Sequence, residues 1–300
     1  MAKKERGRAL STMRLQEIDR LLGEAPSHLW RDCKLTATAE SLLKAAKHEA
    51  VAVGDQLEAK RIWCWESALK MQQMFVAAFE DLKDGRHYGA WCTLERIEIA
   101  GVSWRRHCES DCEAHRIGFI LRQVGLLQAL FPYTHFISPA LLEKRMKCTI
   151  CGKEISVRNP CGHQKGEIYD GELCLREVVE SEVLEVSIVT NPVQKYSVVF
   201  PSEDGMKGDP YDYTLVDYVI RGLRRPFDGW KATWTKARHP HSLYSHVAAQ
   251  DPCPCGSGKL YSDCCLPEKG VLRPHVMIEF DVPPPDDLPS VVLPSPRRSS

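Results

Sequence analysis

The chain has 300 residues with 43% hydrophobic content, enough for about two cored domains. Its 40 lysines and arginines balance 40 aspartates and glutamates, which excludes a global field pulling it toward nucleic acid or an acidic membrane. Any charged partner has to be met by a local patch. The N-terminus, MAKKERGRALSTMRLQEIDR, lacks the apolar region of a secretory signal, and no apolar run is long enough to span a bilayer. A cytoplasmic protein without membrane attachment is therefore expected. In a reducing compartment its 13 cysteines should hold metal wherever they cluster.

Residues 1–35 read as a short amphipathic helix near Leu10 to Leu22 followed by a linker. From Thr36 to Phe131 the apolar residues recur at three- and four-residue steps: Ile62, Trp65, Leu69, Val76 and Phe79, then Trp91, Leu94, Ile97, Gly101, Trp104 and Cys108, then Ile117, Ile120, Val124 and Leu127. Gly85 separates the first two stripes and Pro132 closes the last. The spacing predicts an α-helical bundle over residues 36–140.

Within it, Cys108, Cys112 and His115 fall on one helical face, and His107, Asp111 and His115 on another. Both are candidate metal stripes, set against packing and solvation as the plainer reading. Glu95 and Glu98 beside Arg96 are ordinary helix-surface charges or, with His107, Asp111 and His115, the site of a hydrolase.

Residues 141–230 change to cysteine, glycine and β-branched residues, the pattern of a small α/β region. CTICGKEISVRNPCGHQKGEIYDGELC carries a Cys148-x2-Cys151 knuckle and, nine residues on, Cys161-x-His163, each pair beside a glycine, Gly152 or Gly162. These four are assigned as a structural zinc site, because zinc takes four nitrogen or sulfur ligands in a tetrahedron. Cys174 is either an alternative ligand or, as preferred, a buried small apolar residue. Two strands are expected at Val183–Val189 and Tyr196–Phe200, joined at Asn191-Pro192. A loop follows at PSEDGMKGDP, and then a helix with Leu215, Val216, Val219, Ile220 and Leu223 buried, ending near Pro226.

Residues 231–250 are read as a basic, aromatic linker. Arg221, Arg224, Arg225, Lys231 and Arg238 with Trp234 are the residues suited to grip phosphates and stack bases. The plainer reading packs the aromatics and leaves the charges in water.

Residues 251–268 contain DPCPCGSGKLYSDCCLPE, in which Cys253-x-Cys255 and, after eight residues, Cys264-Cys265 offer four thiolates around a glycine turn. GSGK is not a phosphate cradle: a P-loop needs G-x-x-x-x-G-K-[ST], and Lys259 is followed by Leu260. Residues 269–300 are assigned to a proline-rich tail, disordered from Asp281 onward.

The stretch PCPCGSGKLYSDCC resembles the SEC-C motif, the zinc hook at the C-terminal end of the SecA translocation motor and of many other bacterial proteins. The resemblance covers about fifteen residues and implies zinc at Cys253, Cys255, Cys264 and Cys265 and a docking role, in SecA toward the SecB chaperone and ribosomes. The helicase motor is absent, so translocation is not implied. A weaker resemblance links Cys148 to Pro192 with a zinc-knuckle cassette in phage proteins related to prohead proteases. Ser187 lacks a partner base there and reads as a strand residue.

The expected fold is α+β, with an N-terminal helical bundle, a zinc-nucleated α/β region and a C-terminal hook. The expected function is that of a two-zinc adaptor docking onto a protein, a ribosome or nucleic acid. The alternative is a hydrolase or nuclease, such as one acting in phage defence, with its site in the bundle.

Overall fold

The computed structural model describes residues 15–24, 33–108, 113–201 and 209–289. They fall into two compact units, one drawn from residues 1–125 and 133–210, the other from residues 126–132 and 211–300. The fold class is α+β, with six helices and small antiparallel sheets among the described residues.

The first unit begins with helical residues 15–24 (α1), followed by α2 (Cys33–Ala52), α3 (Gln56–Lys83), α4 (His87–Cys108) and α5 (Ile117–Leu130), whose last turn belongs to the second unit. Of the expected first helix, residues 10–14 lie outside the described ones, while Leu15, Ile18 and Leu22 are buried. Asp55 caps α3 by accepting the Glu58 amide at 3.0 Å. Gly85, at φ 74, turns the chain from α3 into α4 in a left-handed conformation that costs a residue with a Cβ energy.

The apolar stripes read from the sequence are the buried ones, from Ile62 to Phe79 on α3 and from Trp91 to Trp104 on α4. Gly101 lets α4 and α5 approach closely, since a Cβ there would stand 2.5 Å from Leu121. Cys108 is a core residue that forms a disulfide with Cys64, a pairing across 44 residues that spacing alone does not reveal.

The β-structure of this unit differs from expectation. β5 (Arg176–Val189) is twice the anticipated strand and pairs antiparallel with β1 (Phe136–Cys148), a segment not read as a strand. Pro139 and three register shifts mask its periodicity, and proline is tolerated on such a ribbon because no central ladder needs its N–H. Residues 196–200 attach instead to the start of β1, through a bridge from Val198 to Phe136 and a hydrogen bond from the Ile137 amide to the Ser197 carbonyl at 2.7 Å.

Beyond β1 come β2 (Glu154–Ile155), which pairs with its end, and the hairpin of β3 (Ile168–Tyr169) and β4 (Glu172–Leu173). Asp170 and Gly171 form the two-residue turn with φ of 50 and 68, the sign a tight twisted hairpin requires. Asp170 docks on the start of α3 by exchanging two hydrogen bonds with the Gln56 side chain, at 2.6 and 3.0 Å.

In the second unit, α6 (Thr214–Gly222) buries the expected face from Leu215 to Ile220. β6 (Trp230–His239) and β7 (Val271–Phe280) then pair antiparallel over ten residues each. Residues 231–239, read as linker, and 271–280, read as tail, are thus strands. Each is short and largely exposed by itself, and the strand that satisfies its inward-facing backbone groups lies across 31 intervening residues. The segment between them, residues 240–270, contains a single 3-10 turn at His241–Tyr244 and the second cysteine cluster. Of the expected loop and tail, residues 202–208 and 290–300 lie outside the described ones. Among the described residues no helix is long and apolar enough to cross a membrane.

Candidate metal centres

The first centre is built where β1 ends. The Cys148 amide donates to the Lys153 carbonyl at 3.0 Å and the Gly152 amide to the Cys148 carbonyl at 2.8 Å, closing a tight turn that folds Cys151 back toward Cys148. Gly152 and Gly162 take φ of 67 and 87, so a side chain at either would strain the turn. The second pair returns through Cys161 and His163, and the four ligand atoms of Cys148, Cys151, Cys161 and His163 lie within 4.8 Å of one another. Cys148 Sγ is 3.8 Å from His163 Nδ1.

Two residues not singled out for this role, Tyr169 and Arg176, support His163. The Tyr169 ring meets His163 edge-on at 4.7 Å, the Tyr169 hydroxyl accepts the Gln164 amide at 3.0 Å, and Arg176 donates to the His163 carbonyl at 2.5 Å. Cys174 is fully buried, with its sulfur 3.9 Å from that of Cys148 and 3.3 Å from a donating nitrogen of Arg176. It adjoins the centre without joining the group of four.

The second centre lies in the segment joining β6 to β7. The Cys253 amide donates to the Lys259 carbonyl at 2.8 Å, and Gly256 and Gly258, at φ 79 and 76, make the turn between them. Cys253, Cys255, Cys264 and Cys265 again place their sulfurs within 4.8 Å of one another, with Cys255 and Cys264 at 3.5 Å and Cys264 and Cys265 at 3.9 Å. Cys253, Cys265, Tyr261 and Val271 form a small core of their own. The Tyr261 hydroxyl is 2.6 Å from Nδ1 of His241, whose Nε2 reaches the Glu268 carbonyl at 2.8 Å.

Both donor sets fit zinc. A tetrahedron of sulfurs about 2.3 Å from the ion has edges of roughly 3.8 Å, close to the separations found. Four protein ligands close the shell and leave no position for a reacting water, which suits structure rather than catalysis.

The thiols differ in how readily they ionise. Burial opposes ionisation of Cys148, but the amides of Cys151 and Ile150 and the neighbouring thiols outweigh it and lower its pKa to about 6. Burial is likewise overcome at Cys255 by the Ser257 hydroxyl and the Cys253 thiol, again to about 6. At Cys253 burial prevails over the Cys255 amide and pushes the pKa up to about 12. Cys148 and Cys255 are thus the thiols biased toward the thiolate form that a dication takes as a ligand.

A family model described as the SEC-C motif matches residues 251–267. The cysteine cluster fits a zinc-binding SEC-C hook. No curated protein and no solved structure gives a match.

The other candidates of the sequence do not assemble. Cys112 and Asp111 lie outside the described residues, Cys108 is disulfide-bonded, and buried His115 contacts Asp19 through Nε2 at 2.7 Å. His107 Nε2 meets the Gly166 carbonyl at 2.7 Å. Glu95 is buried, which raises its pKa, and accepts the Lys195 amide, while Glu98 pairs with the Lys195 ammonium at 2.6 Å. Glu95 and Glu98 share Lys195, while His107 and His115 are tied to Gly166 and Asp19, so the four have no common partner.

Among the basic residues, Arg225 pairs with Asp228 at 3.1 Å, Lys231 with Asp281 at 4.0 Å and Arg238 with Glu268 at 3.1 Å. Arg221 and Arg224 are exposed, and Trp234 is 40% exposed on β6.

Proposed function

We propose that this chain is a zinc-dependent docking adaptor. One zinc ion is held by Cys148, Cys151, Cys161 and His163, and a second by Cys253, Cys255, Cys264 and Cys265. The ions order segments that bury little core of their own, each contributing on the order of 10 kcal/mol to folding. The hook over residues 251–268 then presents a fixed surface to a partner protein or ribosome, and Arg221, Arg224 and Trp234 are the groups available to a nucleic acid.

The observation that carries this reading is the convergence of the four hook sulfurs within 4.8 Å inside the stretch that matches the SEC-C motif. The structural ties of Glu95 and Glu98 to Lys195, of His107 to Gly166 and of His115 to Asp19 favour an adaptor over a hydrolase. A cytoplasmic setting suits the eight free ligands, and the Cys64–Cys108 disulfide, 3% and 2% exposed, is shielded from reductant by burial.

The test is affinity capture with the zinc-loaded chain beside a Cys253→Ser, Cys255→Ser variant. The adaptor reading expects a partner retained by the first and lost by the second. Equal capture by both, or protein purified without chelator that holds no zinc, would refute it.

A further inference from the structure

The β1–β5 ribbon carries an apolar face that neither metal centre uses. Directly opposed residues of an antiparallel pair project to the same side, and alternate residues share a face. Ile137 opposite Ile188, Pro139 opposite Val186 and Leu141 opposite Val183 therefore line one face. The shift in register between Ala140 and Leu141 keeps Val183 in that row.

These side chains are in water: Ile137 is 42% exposed, Leu141 49%, Val183 59%, Val186 61% and Ile188 68%. No charged residue lies among the three pairs. On the opposite face Ser138 faces Ser187, Ala140 faces Glu185 and Leu142 faces Glu182, so the ribbon is amphipathic in the way of a sheet with one face packed. Yet β5 is exposed without a break from Glu177 to Val186. A bare two-stranded ribbon is marginal in water, and an uncovered apolar row on it is a surface awaiting a cover.

We propose that the cover is a second copy of this chain, with the two ribbons packed face to face by the row from Ile137 and Ile188 to Leu141 and Val183. Three observations favour a copy over a foreign partner. The row is apolar along its whole length, so a two-fold axis sets like against like without burying charge, as an isologous contact requires. The two cations that flank it are neutralised within the chain, Lys144 by Glu182 at 2.6 Å and Arg145 by Glu154 at 2.8 Å, so they offer little to an acidic ligand.

The area fits a weak, reversible dimer. Five residues exposed to this degree present roughly 400–500 Å², within the ~300–600 Å² of a monomer's largest apolar patch, and doubling that across the axis gives ~800–1,000 Å², the size of a transient interface. Such a dimer carries two hooks, so a partner with repeated sites would be held by avidity rather than by a single contact.

The test is sedimentation velocity on the full zinc-loaded chain from about 1 to 100 µM, a range that brackets a micromolar dimer. The wild type should pass from monomer to dimer. Val183→Glu with Ile188→Glu should raise the dimer dissociation constant at least ~100-fold, because four carboxylates would then meet in the apolar seam.

Glu185→Lys, on the opposite face, should leave association unchanged. Far-UV circular dichroism and zinc content report whether each variant is folded, and Val186→Lys in the middle of the same row is the second reporter should the double variant fail to fold. A wild type that stays monomeric throughout, or folded face variants that dimerise like the wild type, would overturn the proposal. So would a monomer whose ribbon is covered by an apolar peptide or a vesicle.

Discussion

A Cβ placed on Gly270 would stand 2.4 Å from the carbonyl oxygen of His239. The two residues sit where the cysteine-bearing segment rejoins the sheet, since His239 pairs with Val271 as the last rung of β6 and β7. Gly270 also has φ 153, a backbone region that side chains rarely adopt. Gly270→Ala is therefore expected to destabilise the second unit by about 1–3 kcal/mol. Denaturant unfolding followed by hydrogen exchange should show early opening of β6 and β7, with α3 and α4 unaffected. Equal protection in both proteins would contradict the close approach.

His239 itself predicts a pH dependence. Its ring is 1% exposed and neither ring nitrogen has a partner. Burial, aided by His275 and Arg273, holds its pKa below the usual value. The native ring is neutral while the unfolded one takes a proton below about pH 6.5, so the unfolded state binds more protons there. The contribution of His239 to stability is complete above that pH and is lost as the pH falls toward the lowered native pKa. Melting curves at saturating zinc between about pH 7.5 and 5.5 should show this loss, and His239→Leu should flatten that part of the slope.

Removing hook ligands should be selective. Cys253→Ser with Cys255→Ser should lower the zinc content from two equivalents to one and collapse the small core of Tyr261 and Val271. The Cys64–Cys108 link and the helices of the first unit lie outside that cluster, so far-UV ellipticity should change little. A variant still holding two zinc ions would exclude these thiols as ligands.

Cys148→Ser should be more damaging, because Cys148 is both a candidate ligand and the last β1 residue paired with β5, opposite Arg176. One zinc equivalent should be lost, with protease cleavage appearing within residues 149–175. Cys174→Ala is the control: that sulfur contacts Cys148 but stands outside the group of four, so zinc content should hold at two.

Much of the candidate chemistry was legible because it is local. Cys148 to His163 and Cys253 to Cys265 each span fewer than twenty residues, and glycines at Gly152, Gly162, Gly256 and Gly258 mark turns that can be made in one way only. The helix faces were legible for the same reason, since a period of 3.6 residues repeats within one element. The ribbon was not. β1 contains Pro139 and charged residues, and its strand character exists only through β5, some forty residues further on. Tyr169 and Arg176 were likewise invisible as supports of His163, because nothing in their spacing marks a contact with its ring or carbonyl.

The amino-acid order by itself determined the α+β class, the buried faces of α3, α4 and α6, and the two groups of four candidate ligands, since each depends on neighbours close in the chain. Tertiary structure alone decided that the hook segment is clasped between β6 and β7, that Cys108 pairs with Cys64, and that an apolar row of the ribbon faces water. These depend on which distant segments meet, and that is set by the competition among all possible burials rather than by any local pattern.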